Sequence, residues 1–272
     1  MSDNLNNLPE SAFEIPNNIY KDALQPAAQE VGSVLKTITK TFNTLLIPLR
    51  LLNDTAEIKY RKFISDLEAK SHEIPPENIC TPDLSTVGPA LTDLVFSLDE
   101  EEIRSLYMNL LLHSIDNRTT KCNLRAFTQI IKQLSSFEAQ LLKTIYESHS
   151  TCPVARVRVY CVPSLKFIGQ HVPGVFFNDL ITDICIDNST EELCDLSLQN
   201  LLRLGLIELH ENTFISPIER YSYVESSKTY LKAYKLLHTK NEDGQEFNKI
   251  DIERFSYSLS SFGESFCNIC IA

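Results

Sequence analysis

Residues 196–212, LSLQNLLRLGLIELHEN, set Leu196, Leu198, Leu201, Leu202 and Leu204 ahead of Gly205, with Leu206, Ile207 and Leu209 following it and the polar pair Glu211 and Asn212 closing the run. Glycine adopts a positive φ without steric penalty, so Gly205 suits a helix C-cap. The apolar residues after it alternate with polar ones, which predicts a strand. Helix, glycine stop, strand, polar turn and strand is the order of a winged-helix unit, although the insert at 217–249 is long for one.

The neighbouring sequence extends this reading. Val157, Val159 and Cys161 alternate with Arg156, Arg158 and Tyr160, a strand period. Ile250, Ile252, Phe255, Tyr257 and Leu259 predict a late strand, and Ser261 with Glu264 caps a last helix through Phe262, Phe266, Ile269 and Cys270. Residues 135–272 are therefore expected to form a winged-helix-like α+β domain.

Upstream the period is helical. Residues 1–20 contain Asn4, Asn6, Asn7, Pro9, Pro16, Asn17 and Asn18 and no sustained period, which reads as a flexible leader. From Val34 to Leu67 apolar residues recur at helical spacing, interrupted by Pro48, which predicts two helices or one kinked helix. Pro75, Pro76, Pro82, Gly88 and Pro89 make 72–89 an extended Pro-rich connection. Asp99 with Glu102, and Ser135 with Glu138, match capping boxes; Leu124, Phe127, Ile130, Ile131 and Leu134 define a helix between them. The expected class is mainly α: a helical bundle over 21–134, then the winged-helix-like module.

The 272 residues are 43% apolar and 22% charged, a soluble globular composition that excludes collagen, coiled-coil and disordered classes. A net charge of -11 argues against coating nucleic acid or an anionic membrane with the whole surface. Counted in blocks, residues 34–71 hold 7 Lys and Arg against 4 Asp and Glu, whereas 1–33, 72–137 and 138–272 are each acidic. Lys36, Lys40, Arg50, Lys59, Arg61 and Lys62 lie on the polar side of that helical stretch and are the expected partner or membrane surface. Residues 1–26 lack a basic start and an apolar h-region, so a cytoplasmic protein with reduced thiols is expected.

Catalytic patterns are weak. Cys267-x-x-Cys270 has no second pair of matching spacing, and buried thiols acting as small hydrophobes explain it better than zinc. No two histidines stand four residues apart, and neither a phosphate loop nor a nucleophile elbow occurs. His149 with Cys152, and Arg203 with His210, are close only in sequence. The acids Asp99, Glu100, Glu101 and Glu102 are explained by a helix N-terminus. We expect no catalytic residue, no metal and no cofactor. The rivals are a winged-helix nucleic-acid-binding regulator using Arg156, Arg158 and Lys166, and a hydrolase or nuclease assembled from scattered His, Asp and Glu.

Several spaced segments resemble the bacterial abortive-infection alpha (Abi-alpha) family. They are Pro26-Ala27-Ala28 with Gly32; Leu45-Leu46-Ile47-Pro48; Ile74-Pro75 followed by Pro82; Asn109-Leu110-Leu111-Leu112; Phe127 through Gln133-Leu134-Ser135; and Glu138-Ala139. The pattern continues with Leu198-Gln199-Asn200-Leu201-Leu202-Arg203-Leu204-Gly205-Leu206-Ile207 and ends in Phe262-Gly263-Glu264-x-Phe266-Cys267. Ser260 and Ser261 stand where such chains usually carry Thr, which keeps the capping chemistry. The resemblance implies anti-phage defence in which an infected cell is stopped before the phage matures, and it carries over no catalytic residue. The expected protein acts without catalysis through protein or membrane contact. Its partners would be an unidentified protein or phage trigger, a second copy of the chain or a peripheral membrane surface, with nucleic acid ranked below these.

Overall fold

The structure is a computed structural model that describes residues 54–119, 124–162, 174–184 and 190–272, with a few positions between 32 and 40. The fold is α+β, with helices and one four-stranded antiparallel sheet among the described residues. It divides into two compact units, one of Met1–Phe96 with Leu111–Leu124 and one of Ser97–Leu110 with Arg125–Ala272.

In the first unit, α1 (Asp54–Ser71) buries Phe63, Ile64, Leu67 and Ser71 on one face and leaves Arg61, Lys62 and Ser65 exposed on the other. This 3.6-residue period is the one read from the sequence. The predicted break at Pro48 lies outside the described residues. A 3-10 turn at Pro76–Asn78 leads to an isolated antiparallel bridge between Ile79 and Asp116, flanked by Cys80 N–H donating to Ile115 O at 2.8 Å. Asp116 is buried, and hydrogen bonds from the Arg118 guanidinium hold its carboxyl below the usual carboxylate range.

The expected extended connection over 72–89 is only partly extended. Helix α2 (Leu84–Phe96) starts within it and contains Pro89. Two features outweigh the proline. Asp83 accepts from Ser85 N–H at 2.9 Å, and its carbonyl accepts from Thr86 and Val87, which builds the first turn. Gly88 precedes the proline, and a residue without Cβ relieves the clash that normally keeps that position out of the helical region.

The second unit takes the residues of α3 (Glu101–Ser114) as far as Leu110, most of α4 (Leu124–Ile131), and α5 (Ser136–Ser148). The capping box read at Ser135 and Glu138 is present in both directions. Strands β1 (Cys152–Tyr160) and β2 (Gly174–Thr182) pair antiparallel; α6 (Glu191–Arg203) follows, then β3 (Ile207–His210), α7 (Lys228–Leu236), β4 (Lys249–Leu259) and α8 (Ser261–Cys270). The sheet order is β2-β1-β4-β3. Gly205 closes α6 at φ 70°, as its position before a strand requires. On one face of the sheet Ala155, Val157 and Ile181 bury Tyr221, Val224 and Ala233, which come from a 3-10 helix at Ile218–Ser226 and from α7.

The polar turn at Glu211 and Asn212 is not followed by the expected strand. Residues 213–221 are held to β4 by side chains: Ser256 Oγ donates to Thr213 O, and Tyr221 Oη accepts from Ile215 N–H and donates to Phe255 O at 2.6 Å. The partner of β3 is β4, paired from Ile207↔Leu259 to His210↔Ser256. The last helix is capped one residue earlier than expected, by Ser260, whose Oγ accepts from Gly263 N–H at 2.8 Å.

Gly263 lies against the turn that follows α6. A Cβ there would stand 1.9 Å from Leu206 O. Gly263→Ala should therefore destabilise the protein by about 3 kcal/mol or more through overpacking against backbone, read as a lower urea midpoint. Ser135→Ala, which removes one half of the capping box, should cost about 1 kcal/mol in the same measurement.

Candidate functional site

The cations expected to form a partner or membrane surface differ in exposure. Lys36, Lys40, Arg61 and Lys62 are exposed and Lys59 is half-buried, while Arg50 lies outside the described residues. On α1, Arg61 and Lys62 stand one turn from Ile58, which is 68% exposed, on the side away from the buried Phe63 and Leu67. Such a stripe presents positive charge beside one exposed apolar side chain.

Five of the six described thiols are core groups, and Cys80 is half-buried. Cys152, Cys161, Cys194, Cys267 and Cys270 are buried and unpaired by disulfides. Burial pushes the Cys267 thiol up to about 12 and the Cys270 thiol well above its ordinary value, so both stay neutral and packed around Phe266 in the second unit. Cys152 Sγ lies 3.9 Å from Ser148 Oγ and donates to Ser150 O, and its thiol is also raised by burial. His149 stands apart from it, exposed at the C-cap of α5 with its ring edge-on to Tyr146. Arg203 donates to Gln133 and Asn200, whereas His210 bonds Ser258 Oγ at 2.9 Å. Neither sequence-adjacent pair is assembled into a nucleophile and base.

Two features of the second unit went unread in the sequence. A shallow cleft of about 440 Å³ is lined by Tyr146, His149, Ser258, Glu264 and Asn268, with Tyr146 Oη donating to Asn268 Oδ1 at 2.8 Å. Deeper, Thr182 Oγ1 and Tyr257 Oη are 3.1 Å apart, Tyr223 Oη donates to Ile181 O, and Arg220 lies 4.0 Å from Asp183. Burial raises the carboxyl of Asp183 and the hydroxyls of Tyr223 and Tyr257, favouring their neutral forms. This cluster hydrogen-bonds strand ends together. Both features are assembled from long-range pairs, for which no local spacing gives a signal.

The cations assigned to a nucleic-acid-binding regulator are engaged. Arg156 pairs with Glu211 at 3.2 Å, and Arg158 pairs with Asp251 and Glu253, both at 3.1 Å, while stacking over Tyr160 and Phe176. Lys166 lies outside the described residues. Two acids of α6 also have structural partners. Asp195, buried, accepts from Leu180 N–H and Gln199 at 2.8 Å, and Glu191 accepts from the Lys228 and Thr229 amides at the start of α7. Among the described residues no helix is long and apolar enough to cross a membrane, and no group of three or more His, Cys, Asp or Glu is placed to hold a metal ion.

Comparison with known proteins adds one strong match. No curated protein matches the chain. A solved structure of an uncharacterized protein from the hydrocarbon-degrading marine bacterium Alcanivorax borkumensis SK2 is 18% identical, covering 56% of this chain and 99% of its own, with a TM-score of 0.34. The family model for abortive infection alpha matches residues 55–270, from the start of α1 to the end of α8. The chain therefore belongs to the abortive infection alpha family.

Proposed function

We propose that the protein acts in abortive-infection defence against phage, without catalysis, by engaging a protein or an anionic membrane through the basic helical surface of residues 34–64. The family match over 55–270 supports the defence role. The contact mechanism is supported by the exposure of Lys36, Lys40, Arg61 and Lys62 in the one basic block of the chain, and by buried Cys and Tyr groups held in their neutral forms. The second unit serves in this reading as a winged-helix-like scaffold. Its order α6, Gly205 and β3, with β3 paired to β4, supports that likeness, and the carboxylates on Arg156 and Arg158 favour a scaffold over a nucleic-acid reader.

Phage plating on cells expressing the full chain tests the surface. Charge reversal at Lys36, Lys40, Arg61 and Lys62 should restore plaque formation while the protein stays soluble, because exposed substitutions change stability by only about 0.5 kcal/mol each. Flotation of the same variant with vesicles containing phosphatidylglycerol separates the two kinds of contact. Lost lipid binding indicates a membrane target, and unchanged lipid binding with lost protection indicates a protein. Full protection by the reversed variant would sink the assignment of this surface.

A further inference from the structure

The strongest unexplained feature outside residues 34–64 is the outer face of α7. Between Glu225 and Glu242 the chain carries Lys228, Lys232, Lys235 and Lys240 and no acidic residue. The first three lie on α7 and are exposed. At roughly 100° per residue, Lys228, Leu231, Lys232 and Lys235 fall within an arc of roughly 100°, with Tyr234 about 60° beyond Leu231 on the same flank. Leu231 is 50% and Tyr234 59% exposed. The opposite face, Thr229 and Ala233, is buried, with Ala233 in the cluster formed by Ala155, Val157, Tyr221 and Val224. The helix is thus fixed along its inner face, and its outer face presents cations interleaved with apolar groups. None of the four lysines forms an ion pair among the described residues. Glu191, the acid at the start of α7, is occupied by two backbone amides.

We propose that this face of α7 docks on the surface of an anionic lipid bilayer, lysines at the headgroups and Leu231 and Tyr234 inserted between them. Charge complementarity alone would also admit a nucleic acid or the acidic surface of a second copy. Lipid is favoured by the rest of the composition. The exposed Leu231 gains by entering the acyl boundary and gains nothing against a sugar-phosphate backbone, and a tyrosine beside it suits the headgroup level. The cations are all lysine, strongly hydrated point charges, with none of the bidentate arginine geometry that recognises phosphate or base edges in nucleic acids. The proposal is independent of residues 34–64, which stay intact in every variant below, so its failure leaves the plating test of that surface unaffected.

The test is co-sedimentation of the full chain with phosphatidylcholine vesicles, with and without phosphatidylglycerol. Wild-type protein should bind only the anionic vesicles, and more weakly as salt shortens the Debye length from about 10 Å at 0.1 M to about 3 Å at 1 M. Lys228→Gln/Lys232→Gln/Lys235→Gln should weaken binding by roughly fivefold per lysine. Leu231→Ser/Tyr234→Ser should weaken it with every charge retained, which electrostatic attraction alone would not produce. All five positions are exposed, and circular dichroism with a melting curve confirms that both variants fold. Equal binding to neutral vesicles, or anionic-vesicle binding unchanged in either variant, overturns the proposal. So does a lysine-dependent shift of duplex DNA without vesicle binding, which would assign the face to nucleic acid. A dimer that the lysine variant dissolves, again without vesicle binding, would assign it to a second copy.

Discussion

The second unit depends on the register of β1 against β4, nine consecutive pairs from Cys152↔Tyr257 to Tyr160↔Lys249. Side chains alternate between faces, so this register decides what is buried and what is paired. It sets Val157 beside Ile252 and Val159 beside Ile250, under the residues of α7 and the preceding 3-10 helix. On the other face it sets Arg158 opposite Asp251 and Arg156 opposite Glu253, within reach of the carboxylates that neutralise Arg158. A slip of one residue would expose the valines and turn both arginines into the core without their partners. The exposure of the α7 lysines follows from the same ladder, since Ala233 must meet Ala155 and Val157 for the helix to seat.

Polar side chains then fix the elements that the ladder leaves loose. The register of β2 against β1 shifts between Ala155 and Val157, and near that irregularity Leu180 N–H donates to the buried carboxylate of Asp195 on α6. Thr229 on α7 donates to Asp179 at 3.0 Å, and Glu191 takes the first amides of α7, where a negative charge also favours the positive end of the helix dipole. Asp179 on β2 and Glu191 and Asp195 on α6 thus fasten β2, α6 and α7 together. Their charge is used at short range inside the unit.

Local patterns were legible where one residue type decides one backbone feature. Gly205 ends α6 in the left-handed region, Ser135 and Glu138 cap α5, and the alternation from Arg156 to Tyr160 marks β1. Strand β2 escaped because its register irregularity breaks the period, and Val175 and Phe176 are exposed beside the half-buried Phe177. Helix α2 escaped because Pro89 hides a start that Asp83 builds and Gly88 permits. The pairing of β3 with β4 spans the whole 211–248 segment, and no local signal specifies a partner so distant. At the site level, the exposed cations of α1 followed from helical spacing. The α7 lysines did not, because the 12 Lys and Arg of residues 138–272 were weighed together against 18 Asp and Glu.

That cancellation is arithmetic and not physical. At physiological ionic strength charges are screened over about 8 Å, so a surface pressed against one helix responds to the charges of that helix and its immediate neighbours. The whole-chain balance of -11 governs solubility and the long-range approach of other molecules. It does not govern what Lys228, Lys232 and Lys235 meet at contact, nor what Arg61 and Lys62 meet. The whole-chain balance and the local charge of an exposed helix face thus act over different distances, and the one does not cancel the other.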